Sequence, residues 1–259
     1  MSFDAQRKLQ TTVTLIEPED AGRIQYRPAP TMSPALAAWK DALPLTDNAM
    51  AFQAVVQTYP LLGKGKADEA KALLPNFGVT PEQVQPGWDF LRARTARRDH
   101  ELALWVVDHH GDPKHRAVAL AVLLNFADAD VTWWHVADAL RDRDELVHSF
   151  ASMVLGVLTR QSPRPVDWRP AAASLRPVLA GTNLMAYQTT LRALLATRIA
   201  PDLAAEFFPG AADLLVAHLK ATHEPPRKLA QDFLKHLSGQ GDRSPEEWQR
   251  WLEQYRQKG

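Results

Sequence analysis

The residues best suited to chemistry in this 259-residue sequence are histidines, aspartates and arginines crowded between positions 92 and 148. Asp108-His109-His110 sets a carboxylate beside two imidazoles. Six of the nine histidines, His100, His109, His110, His115, His135 and His148, fall in the same stretch. Such donors are the raw material of a metal centre, but their spacing is wrong for one. No pair forms a His-Glu-x-x-His turn, in which one helix face presents both imidazoles, and no set repeats a known ligand interval. Histidines at helix ends also bond the last carbonyls and favour the dipole, which accounts for them without a ligand. The absence of cysteine removes thiolate metal sites, disulfides and cysteine nucleophiles together. Gly63-Lys64-Gly65-Lys66 is too short for a phosphate loop and has no strand before it. No catalytic residue, metal or cofactor is expected.

Two further clusters bear on binding. Arg92, Arg94, Arg97 and Arg98, with Arg116 and Trp105, resemble a basic patch with an aromatic, yet Asp99, Glu101, Asp108 and Asp112 interleave with them. A salt-bridged, solvated helix face is the expected outcome. Thirty Lys and Arg balance thirty Asp and Glu, so no global field draws the chain to nucleic acid. Trp133 and Trp134 are adjacent and project about 100° apart on a helix, so both cannot enter one core stripe. One can pack inward while the other covers the turn or stands half exposed, where indoles commonly dominate a protein interface. Trp133, Trp134 and His148 are accordingly the candidate residues for a protein or peptide partner. Asp128, Asp130, Asp138, Asp142 and Asp144 form either an acidic rim or ordinary surface.

The elements that must position these groups are helical. Residues 1–34 read as an extended arm, because Thr11-Thr12-Val13-Thr14-Leu15-Ile16 is strand-like and prolines 18, 28, 30 and 34 forbid a long helix. Residues 35–98 are helical without a visible repeat. They hold helices around Pro34–Leu43, from an Asp47 cap through Tyr59, near Lys66–Leu74, and after Thr80-Pro81-Glu82-Gln83, with Pro44, Pro60 and Pro75 as breaks. From residue 99 to 240 the pattern repeats. The helix after Asp112 aligns with the one after Asp144 at an offset of 32, and Gln188 and Arg227 open equivalent segments at offsets of 40 and 39. Expected outer helices precede each inner one: Asp99–His110, Val131–Arg141, Trp168–Ala180 and Pro201–Thr222, the last broken at Pro209-Gly210. Periods of 32 to 40 residues belong to helical solenoids, whose hairpins bury their apolar stripe only by stacking. Ala119, Ala151 and Ala230 supply the small side chains that let neighbouring helices approach. Residues 241–259 close the chain with a helix started by Ser244-Pro245-Glu246-Glu247, on which Trp248, Trp251, Leu252 and Tyr255 share a face.

Asp112-Pro113, the arginine four residues on at Arg116, and the Ala and Leu beyond resemble HEAT and HEAT-like repeats, over roughly residues 99 to 240. The glycine turn and Trp-bearing last helix are similar to the tail of many bacterial HEAT-repeat proteins. The resemblance implies an all-α fold, a right-handed α-solenoid of stacked antiparallel hairpins with the arm in front. It also implies a turn ladder of aspartate and arginine, carried over to Asp112 and Arg116 only; the second unit keeps Asp144 but has His148. A protein-interaction scaffold is the implied function. The alternative is a HEAT-like nucleic-acid protein or DNA glycosylase, or a chromophore binder similar to bilin lyases. Asp108-His109-His110 also matches the DHH phosphoesterase signature, but here it follows Leu102–Val107 in helical register where that family has a strand. The start of the chain lacks the apolar core of a secretory signal, and no run approaches a membrane span. A soluble protein is expected, cytoplasmic unless an export signal has been removed.

Overall fold

The computed structural model describes residues 36, 39–181 and 183–258. The expected arm and residues 34, 35, 37 and 38 of the expected helix at 34–43 lie outside them; from residue 40 a 3-10 helix runs over Lys40–Asp47. The chain divides into two units, Met1–Asp41 and Ala42–Gly259.

The second unit is all-helical, with no strand among the described residues. Its helices are α1 (Ala49–Gly63), α2 (Ala67–Leu73), α3 (Pro81–Arg92), α4 (Arg97–His109), α5 (Pro113–Val122), α6 (Asp130–Asp138), α7 (Glu145–Gln161), α8 (Ala172–Ala180), α9 (Leu184–Ala196), α10 (Pro201–Leu219), α11 (Glu224–Ser238) and α12 (Pro245–Lys258). Side chains that accept orphan backbone N–H groups start many of them. Asn48, Asp112, Asp144 and Asn183 each accept from an N–H in the first turn of α1, α5, α7 and α9. At α12, Ser244 Oγ accepts from the Glu247 N–H while the Glu247 carboxylate accepts from the Ser244 N–H at 2.7 Å, a complete capping box. Gly239, at φ 66°, ends α11 in the left-handed conformation that costs glycine least.

Prolines break fewer helices than expected. Pro60, Pro86, Pro177 and Pro209 lie inside α1, α3, α8 and α10, and α10 continues through Pro209-Gly210. A proline within a helix costs about 3 kcal/mol, and burial of the flanking residues offsets it. Around Pro60, Val55, Val56, Thr58 and Leu61 are all buried. At that apolar density a fully buried Val or Leu contributes about 1.5–3 kcal/mol each.

Helices α4 to α11 pack in four consecutive pairs: α4 with α5, α6 with α7, α8 with α9, and α10 with α11. The second member of each pair packs on the second member of the next, so α5, α7, α9 and α11 succeed one another. The first members, α4, α6, α8 and α10, do the same, and α12 packs on α10 and α11. Ala119, Ala151 and Ala230, on α5, α7 and α11, are fully buried, as the close approach of neighbouring helices requires. Ahead of the pairs, α1 packs on α2, α3 and α7, with Phe52 and Phe150 rings 4.5 Å apart. Asn125 ties the two regions: its Nδ2 donates to the carbonyls of Leu91 (2.9 Å) and Arg94 (2.8 Å) at the end of α3, and its Oδ1 accepts from the Tyr59 hydroxyl at 2.7 Å. No helix among the described residues is long and apolar enough to cross a membrane.

Candidate interaction surface

Trp133 is completely buried in α6. Its indole N–H donates to the Ala127 carbonyl at 2.8 Å and its ring meets Trp168 edge-on, centroids 6.2 Å apart. Trp133 is therefore withdrawn from any contact surface, for the reason the 100° projection supplies: one indole of the pair fills the interior. Trp134 is half-buried and lies over the chain ahead of the next pair, donating from Nε1 to the Asp167 carbonyl at 2.7 Å. His148, on α7, is half-buried.

The turn residues form a junction between consecutive pairs. Asp112 caps α5 and receives His115 Nδ1 at 2.7 Å, and Asp144 caps α7 through the Leu146 N–H at 3.0 Å. Arg116 reaches forward to the next turn, where Nε and Nη2 both lie 3.0 Å from the Asp142 carboxylate. Its Nη1 donates back to the His110 carbonyl at 2.7 Å. A planar fork on a carboxylate fixes the register of one pair against the next. Asp142, the acceptor, is 26 residues away in sequence and also accepts from the Asp144 N–H at 2.9 Å.

The histidines divide among such supporting roles. His135 meets Asp108 at 2.7 Å, joining α6 to α4, and His100 meets Thr132 at 2.9 Å while stacking on Phe126. His110 carries a pH consequence. Its Nδ1 accepts from the Asp112 N–H at 3.1 Å, leaving no room for a proton there, and its ring stacks on His115 with centroids 4.1 Å apart. Burial, then the nearby His115, holds its pKa below the ordinary imidazole value, and Arg116 acts in the same sense. The folded state thus binds this proton more weakly than the unfolded chain. The associated stability is fully present above about pH 6.5 and is lost as pH falls through the lowered folded value. Urea midpoints taken at pH 7.5 and 5.5 are expected to fall less in His110→Gln than in the wild type; an equal fall in both would place the proton elsewhere.

Among the described residues no group of three His, Asp or Glu is arranged to hold a metal, and no Asp or Glu is buried. Two open depressions lie beside the turns. One is lined by Asp108, Asp138, Arg141 and Asp142, the other by Leu140, Pro177, Val178 and Asn183. The carboxylates of the first are already engaged: Asp108 by His135, Asp138 by Ser174, Asp142 by Arg116.

An open helix face recurs from pair to pair. On α7 it runs through Glu145, Ser149, Gly156 and Arg160; on α9 through Met185, Arg192 and Ala196; on α11 through Glu224, Lys228 and Lys235. These positions fall on one side of each helix, interrupted by the buried Ser152 on α7 and Thr189 on α9, with Gly156, Ala196 and Lys235 half-buried. Met185 is 71% exposed, the most open large apolar side chain among those described. His148 sits on the flank of this face and Trp134 away from it, on α6. The sequence contained the signal for this face in its repeat offsets, which align Glu145, Met185 and Glu224, but local composition did not mark it.

The chain matches no protein-family model and no curated protein. The class that its fold defines is an all-α protein of successively packed helical pairs.

Proposed function

We propose that this protein is a non-catalytic interaction module whose four helical pairs form an irregular HEAT-like α-solenoid ended by α12. A protein partner lies along the exposed face of α7, α9 and α11. The observation that carries the reading is the recurrence of that face on the second helix of three consecutive pairs. A serial, open surface suits an extended ligand better than a small molecule, which is typically held in a concave pocket. The bidentate Arg116–Asp142 contact supports it by holding consecutive pairs in register. The alternative, a base-excising or chromophore-binding protein, calls for a buried carboxylate beside aromatic rings, and no observation favours it. The test is photo-crosslinking from the exposed positions Ser149 and Met185 in cells that express the protein, with Ala173 on α8 and Ala217 on α10 as controls. A discrete protein adduct is expected from the first two positions and not from the controls.

A further inference from the structure

The unpaired charge on this face identifies the chemistry of its partner, an inference that rests on the interaction-module reading. The four helices α5, α7, α9 and α11 carry Lys114, Arg116, Arg160, Arg192, Arg227, Lys228 and Lys235 against Glu145, Glu224 and Asp232. Some of these cations are neutralised: Lys114 meets Asp47, Arg116 meets Asp142, and Lys235 meets Asp232 and Asp242. Arg160, Arg192 and Lys228 have no carboxylate partner among the described residues, and all three are exposed on the recurring face, one on each of α7, α9 and α11. A Cβ built on Gly156 would lie 3.3 Å from Arg160 Nη1 and 3.9 Å from Thr189 Cγ2. The guanidinium therefore lies over the seam between α7 and α9.

Gly156 and Thr189 meet where α7 and α9 pack. Arg160 and Arg192 stand four and three residues beyond that contact, on neighbouring helices, and Lys228 stands on the next helix in the succession. An extended chain, rising about 3.3 Å per residue, can cross successive helices about 9 Å apart in about three residues each.

We propose that the partner is an extended acidic segment of another protein, with carboxylates opposite Arg160, Arg192 and Lys228 and an apolar side chain against Met185. Three cations on separate helices, with Glu145 and Glu224 on the same face, suit a peptide with intermittent charge better than nucleic acid, whose phosphates are continuous and repelled by both glutamates.

Fluorescence anisotropy with a labelled 16-residue peptide of alternating Glu and Leu-Ser steps tests this. A peptide with Lys at the Glu positions and a 16-nucleotide oligo-dT serve as comparison probes. The acidic peptide is expected to bind the full chain, more weakly as salt rises. Arg160→Glu/Arg192→Glu/Lys228→Glu is expected to weaken it at least tenfold, and Lys71→Glu/Arg98→Glu/Lys220→Glu, with the same change in net charge, less than twofold. Circular dichroism confirms that both variants remain folded. No binding, equal weakening by the two variants, or tighter binding of the Lys peptide or oligo-dT would overturn the proposal. If Ser149 and Met185 still crosslink a protein while the acidic peptide does not bind, the interaction-module reading stands and only the acidic partner falls.

Discussion

Replacing Trp133 with alanine is expected to remove about 3–5 kcal/mol of unfolding free energy, the range for deletion of a buried aromatic side chain. The side chain has no solvent exposure, and an aromatic of this size buries about 150–250 Å² of surface. At about 25 cal/mol per Å² the burial alone is worth about 4–6 kcal/mol, and the edge-to-face contact with Trp168 is lost as well. The Ala127 carbonyl is not orphaned, because Arg164 Nε also donates to it at 3.0 Å. A hydrogen-bond penalty is therefore the smaller part of the effect. Trp134→Ala, half-buried with one backbone bond, is expected to cost about 1 kcal/mol. Urea unfolding of the two variants checks the pair, and Trp133→Phe provides a milder substitution should the alanine variant be too unstable to measure. Equal costs at positions 133 and 134 would contradict the assignment of one indole to the core. Loss of a partner in Trp133→Ala would report a damaged fold, not a missing contact.

Gly87→Ala is expected to destabilise by about 1–3 kcal/mol, against the roughly 1 kcal/mol that alanine gains over glycine within a helix. Gly87 lies within α3, where a Cβ would come 2.6 Å from Val55 Cγ2 and 3.1 Å from Leu45 Cδ1. Both α1 and α3 are fixed at that crossing, for the Trp88 indole N–H donates to Thr58 Oγ1 at 3.1 Å and Thr58 in turn donates to the Ala54 carbonyl. Helix α3 therefore cannot retreat without breaking a buried chain of hydrogen bonds. Combining Gly87→Ala with Val55→Ala is expected to cost about 1 kcal/mol less than the sum of the single variants, because each relieves or fills what the other creates. A stabilised Gly87→Ala would mean that propensity outweighs packing at this crossing.

The helical class and several helix starts were legible in the sequence because their causes are local. Asp112, Asp144 and Ser244 cap the helices that come after them, and the pairs α4 to α11 fall close to the segments marked by the repeat offsets. The continuations through Pro60, Pro86 and Pro209 were not legible, since a local breaker is overruled by burial that only the tertiary fold provides. Long-range polar pairing was equally hidden. Nothing near Arg116 points to Asp142, nothing near Asn125 to the end of α3, and nothing near Trp168 to Thr197, whose hydroxyl accepts its indole N–H at 2.7 Å. In the candidate site, adjacency of Trp133 and Trp134 required that they diverge but not which one turns inward. The repeat offsets align Glu145, Met185 and Glu224, but which side of each helix stays open is set by its neighbours, because each helix alone presents too few exposed positions to be distinguished from ordinary surface.

Photo-crosslinking from Ser149 and Met185, set against Ala173 and Ala217, is the sharpest test of the interaction module because it reads proximity at one face without altering the charges or the core. One and the same protein adduct is expected from both the α7 and the α9 position, and none from the α8 and α10 controls. Adducts from the controls alone, or no protein adduct from either Ser149 or Met185, would show that the recurring face is not where a partner lies.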